Sequence, residues 1–183
     1  MARNTLSRSL HDVGLSAWFG GTLANAVALN PAAAEAGTST RTGAVANAGW
    51  DRWTPVNAAA IGLHLVGSVG QLAGNAGRVS AQSGVGSMVV AKTALTAAAL
   101  GATAYSRVLG RKVSSHADVP AESGTAPAAG TPSEVANAQR QLAALQWVIP
   151  ALTGALVVVS SFAGEQQRAT EVHKGLAARL IGS

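Results

Sequence analysis

Cysteine is absent from this chain of 183 residues, which excludes disulfides, cysteine-ligated zinc, iron–sulfur clusters and a thiol nucleophile. Charge is sparse as well. Asp, Glu, Lys and Arg together make up 11% of the sequence, less than half the usual share of a soluble domain. Large aromatics are few, with two Phe and one Tyr beside four Trp, although a soluble core of this size leans on them for buried area. The familiar catalytic signatures are missing too: Gly-x-Ser-x-Gly, His-Glu-x-x-His, a P-loop and a dinucleotide fingerprint. These absences lead away from an enzyme.

What remains is rich in Ala, Gly and Val, a composition suited to helices that approach one another closely. The charges also divide the chain. Between Asp12 and Glu35 lie 22 residues without one, between Arg52 and Arg78 there are 25, and between Arg140 and Glu165 there are 24. A membrane-spanning helix needs about 20 mostly apolar residues to cross roughly 30 Å of hydrocarbon. A fourth window, 86–108, holds Lys92 near its start and Arg107 at its very end, both near enough to a boundary to snorkel outward. The sequence therefore predicts an all-α fold, a four-helix transmembrane bundle running up-down-up-down, with spans near 13–30, 55–75, 86–108 and 142–163.

Local punctuation sets the expected limits. Asn30-Pro31 stops the first helix, and Thr54-Pro55 opens the second, with Thr as N-cap and Pro at the first helical position. Thr131-Pro132-Ser133-Glu134 is a capping box, which starts the fourth helix near 132, before the membrane. Residues 36–50 read as a short connection. Residues 114–130 (Ala, Pro, Gly, Ser, Glu) read as an exposed, flexible loop, and residues 165–183 as a polar tail with a short amphipathic helix at Val172, Leu176, Arg179 and Leu180. Together, 1–183 is one transmembrane helical domain.

Two other readings of the hydrophobicity exist. Mean hydropathy is only +0.26, which leaves room for an Ala-rich soluble bundle. Arg3 and Arg8 before an apolar stretch and Ala24-Asn25-Ala26 resemble a signal peptide, although three later spans make such cleavage unnecessary for insertion. The net charge of +5 is spread out, with no more than two cations adjacent, which suits membrane flanks better than nucleic acid. Four spans place seven Lys and Arg on the face of the termini and six on the other; Arg3 and Arg8 tilt the expectation to cytoplasmic termini in a multi-pass protein of the cell membrane. Trp50, Trp53, Tyr105 and Trp147 fall toward the opposite face, as an aromatic belt.

Polar residues inside the spans recur every seven positions, which keeps them on one seam of a left-handed helix pair. Helix 2 carries Asn57, His64 and Gln71. Helix 4 carries Gln139, Gln146, Thr153 and Ser160, and helix 3 carries Thr96 and Thr103 with Lys92 one turn earlier. In lipid these groups lack partners, so the seams should face the bundle interior, either as packing hydrogen bonds or as a path for a small solute or proton. Close approach is expected at Gly70-x-x-x-Gly74, Ala17-x-x-x-Gly21 and Ala97-x-x-x-Gly101, and flexing at Gly20-Gly21 and Pro150. No cofactor is expected. A bis-histidine haem would need a second imidazole inside a span, and His11, His116 and His173 lie outside; no span holds the Asp or Glu that a metal site wants.

The segments LSAWFGGTLANAVALNPAA, GWDRWTPVNAAAIGLHLVG, AKTALTAAALGATAYSRVLG and QRQLAALQWVIPALTGALVV resemble small four-helix membrane proteins of high-GC actinobacteria, a family of unknown function. Trp18, Gly20 and Gly21 more distantly resemble the Trp-x-Gly-Gly of a four-helix membrane domain. The resemblance implies location and fold and transfers no functional residues. The expected partners are the lipid bilayer and other membrane subunits or further copies of the chain, with a structural or accessory role. A transporter or channel component, or a binder of a quinone or haem near His64, are the alternatives.

Overall fold

The computed structural model describes residues 4–81, 84–116 and 119–165, so the expected amphipathic tail helix lies outside the described residues. The chain is mostly helical. Helix α1 (Thr5–Ala24) runs into a π-turn (Asn25–Leu29), a short α2 (Asn30–Ala33) and a 3₁₀ turn at Ala34–Ala36. Helix α3 spans Ser39–Gly74, α4 Ala76–Ala81, α5 Val85–Ser114 and α6 Ser133–Glu165, with a hairpin of β1 (Ala121–Ser123) and β2 (Ala126–Pro127) between the last two.

Three of these helices, α3, α5 and α6, are long and apolar enough to cross a membrane. Helix α1 is not among them, so three of the four expected spans coincide with a helix of that kind. The 20 residues of α1 begin at Thr5 and take in Arg8, His11 and Asp12, and its apolar half passes into the π-turn. Asn30-Pro31 also does not end the helical path. Asn30 opens α2 with Pro31 in its first turn, directly after the π-turn, a local widening of the helix of the kind that accommodates proline's missing N–H. The path ends at Gly37, whose φ of 86° is the left-handed geometry that favours glycine.

Helix α3 is longer than expected at its start. Thr38 is its N-cap, with the side chain accepting from the Arg41 N–H at 3.3 Å. The connection expected over 36–50 is therefore largely helix, and Pro55 sits inside α3 instead of opening it. Thr54, read as a cap, donates to the Trp50 carbonyl at 2.8 Å. At 36 residues the helix is about 54 Å long, more than the hydrocarbon core requires.

The exposed loop expected over 114–130 is also corrected. Helix α5 continues through Ser114, and the hairpin that follows packs on α3, with Ala121 and Thr125 buried. The capping box does not form either. The Thr131 hydroxyl donates to the Pro120 carbonyl at 2.7 Å, and Glu134 pairs with Lys112 at 3.1 Å. Thr131 thus ties the hairpin to the base of α6 instead of capping it.

Helix α1 packs along α3, α5 along α6, and α1 along α6. Contacts run antiparallel: Asn4 meets Gly70 and Gly74 while Gly21 meets Trp53, and Lys112 meets Glu134. At mid-height Trp18, Ala60 and Ala99 are all buried together, with Ile61, Leu100 and Leu152 against them. A second cluster of Leu109, Val113, Val135 and Ala138 joins α5 to α6 near the hairpin.

Candidate functional site

The tightest seam in the molecule lies between α1 and α3, and glycine makes it possible. A Cβ on Gly14 would strike the Ala60 carbonyl and the His64 amide nitrogen, and one on Gly67 would strike the backbone of Ser7 and His11. The two helices therefore meet backbone to backbone. That approach carries His11 onto His64, with ring centroids 4.6 Å apart and planes tilted by 48°. Trp18 stands 6.0 Å from the His64 ring. All three side chains are buried. His11 Nδ1 lies 2.7 Å from an Asp12 carboxylate oxygen, and His64 Nε2 lies 3.5 Å from the Thr96 hydroxyl.

The heptad-spaced residues all sit at buried or half-buried positions. His64 and Thr153 are fully buried; Asn57, Gln71, Lys92, Thr96, Thr103, Gln146 and Ser160 are half-buried. They do not form one bonded network. The Thr153 hydroxyl donates to the Ile149 carbonyl of its own helix at 2.9 Å, the usual solution for a hydroxyl in an apolar helix. Gln146 accepts from Asn30 at 2.8 Å, so its partner comes from the first helical stretch and not from the α3 seam. Asn57 Oδ1, Thr103 Oγ1, Ser160 Oγ and Gln139 Oε1 are buried without a hydrogen-bond partner among the described residues. Of the small-residue pairs, Gly70 and Gly74 meet Ser7 and Asn4, and Gly21 meets Trp53, whereas Gly101 faces open space.

Cavities among the described residues flank these seams. Between α3 and α5 on the hairpin side is an apolar cleft of about 290 Å³, bordered by Trp50, Trp53, Asn57, Arg107 and Gln146. Between the same helices on the other side of the waist is a second apolar cleft of about 370 Å³, with Leu65, Leu72, Val85, Met88 and Lys92 in its walls. Beside it is a polar chamber of about 420 Å³ that holds Arg8, His11, Asp12, Gln71, Lys92 and Ser160. Leu100 stands between the two clefts and borders both.

Two residues at the centre of this arrangement escaped the sequence reading. His11 was placed outside the spans, because the charge of Asp12 beside it marked a boundary; the glycines at 14 and 67 were the signal that α1 could carry it inward. Asn30 was read as a helix stop. It is instead a junction, buried, donating to Gln146, accepting from the Trp50 indole at 3.0 Å and from the Gly124 N–H through its carbonyl at 3.2 Å. Among the described residues no group of three or more His, Asp or Glu could hold a metal ion. The packed imidazoles also leave no room for a macrocycle between them. Three long apolar helices are compatible with a multi-pass membrane protein in contact with lipid. No family model, no curated protein and no solved structure matches this chain.

Proposed function

We propose that the chain is a non-catalytic structural or accessory subunit of a larger membrane assembly, with its four helical stretches forming one up-down-up-down transmembrane bundle. The observation that carries this reading is how little of each apolar helix the fold itself covers. Only 17%, 11% and 22% of the most apolar windows of α3, α5 and α6 are buried inside the chain. Val66, Val69, Val90, Val108, Val158 and Phe162 are all more than half exposed. In water such a surface would far exceed the apolar patch a monomer tolerates, whereas lipid and neighbouring helices cover it at no cost. Gly101, where an added Cβ would meet nothing within 4 Å, leaves room for a neighbour to approach α5. On this reading α1 reaches the bilayer by leaning its polar side on α3 and α6, with the termini on the cytoplasmic side of the cell membrane.

A continuous solute path is less favoured. The waist of Trp18, Ala60 and Ala99 separates the polar chamber from the hairpin-side cleft, and fully buried Trp18 fills it. The experiment is fractionation followed by purification of the tagged protein in mild detergent. Retention in carbonate-washed membranes and stoichiometric co-purification of another membrane protein are expected. Recovery in the soluble fraction would overturn the membrane reading, and a pure monomer would overturn the accessory role.

A further inference from the structure

Lys92 is a cation set into the first turns of an apolar helix. It lies seven residues into α5, about 10 Å along the helix, and is half-buried. Among the described residues it makes no hydrogen bond and no ion pair. A cation at the edge of an apolar helix is costly unless something pairs with it. Lys92 and Gln71 border both the apolar cleft of about 370 Å³ and the polar chamber of about 420 Å³, so the two spaces adjoin at these side chains. The first is walled mostly by apolar side chains and the second by polar and charged ones.

Among the described residues the chamber wall carries both signs of charge. Arg8 and Lys92 are its cations; Asp12 and Glu165 are its carboxylates. Asp12 is 65% exposed and uses one oxygen toward His11. A head carrying only negative charge would meet the exposed Asp12 carboxylate, while a zwitterionic head can satisfy both signs.

We propose that this joined space binds one bilayer phospholipid with an ethanolamine head. Its phosphate accepts from the Lys92 ammonium, with the Arg8 guanidinium as a second donor. Its primary ammonium donates to Asp12, and one acyl chain lies between α3 and α5 against Leu72, Val85 and Met88. A choline head has no N–H to donate to a carboxylate, and a glycerol head brings no cation. The proposal rests on the membrane reading above and extends it to a specific lipid.

The test uses the full chain purified in detergent, washed free of lipid, and titrated with dihexanoyl-phosphatidylethanolamine or dihexanoyl-phosphatidylglycerol under native mass spectrometry. One bound ethanolamine lipid is expected, with weaker binding of the glycerol lipid. Lys92→Gln should weaken binding about tenfold, the scale of one lost charge-assisted hydrogen bond, and Lys92→Arg should retain it. Leu72→Trp, at a half-exposed position in the cleft wall, should block the chain without disturbing the core. Equal binding by Lys92→Gln and the native protein, no bound lipid, or preference for the glycerol lipid would each overturn the proposal. A membrane-embedded protein that binds no lipid sinks this inference alone, whereas a soluble one sinks the membrane reading first.

Discussion

The Asn30 amide donates to the Gln146 side-chain carbonyl at 2.8 Å across 116 positions of sequence. Asn30 also receives the Trp50 indole N–H at 3.0 Å. One buried side chain thus links the first helical stretch to α3 and α6, and its backbone carbonyl holds the hairpin through Gly124.

Asn30→Leu should therefore destabilise the fold by about 1–3 kcal/mol, because it leaves the Trp50 and Gln146 groups without their partner. Gln146→Leu should cost less, about 0.6 kcal/mol, the average for an interhelical hydrogen bond in a membrane bundle. A double-mutant cycle followed by unfolding in mixed micelles measures the coupling. Strict additivity would remove the hydrogen bond from the account.

Glycine substitutions should divide by position. Gly67→Ala places a Cβ against the backbone of His11 and Ser7, which cannot yield without separating α1 from α3. A loss of about 1–3 kcal/mol is expected, the range for overpacking. Gly101→Ala meets nothing within 4 Å and should be neutral or stabilise the isolated chain slightly. Thermal unfolding of the two variants in the same detergent checks the contrast, and equal effects would contradict the close seam.

His64→Leu should weaken the bundle by about 1 kcal/mol while leaving the helical content unchanged. The ring is fully buried against His11 and Trp18, and its polar contact to Thr96, at 3.5 Å, is at the outer limit of a hydrogen bond. Packing should therefore dominate, and Thr96→Val should change stability little. A large loss in Thr96→Val would reverse that ranking.

Limited proteolysis should spare Ala121–Pro127. These residues pair as a hairpin, bury Ala121 and Thr125, and are fastened by Thr131 to Pro120 and by Gly124 to Asn30. Thr131→Val removes one fastening and should raise the cleavage rate within the hairpin. Rapid cleavage there in the native protein would show that the packing does not persist in solution.

The order of residues was enough to locate the long apolar windows of α3, α5 and α6. Length poor in charge encodes where α3, α5 and α6 can cross a bilayer, and a seven-residue period encodes which residues share one face of a helix. The sequence also placed the start of α6 within a residue, although the Pro132 position did so without the expected cap. Tertiary structure alone decided which faces meet. The meeting of His11 with His64, of Asn30 with Gln146 and of Gly67 with the α1 backbone depends on how distant helices cross, and periodicity within one helix carries no record of that. Local signals failed for the same reason at Pro55 and in the hairpin. A proline that reads as a helix start stays within α3 when Thr38 supplies the cap upstream, and a stretch rich in Ala, Pro and Gly orders once α3 and Asn30 offer it partners.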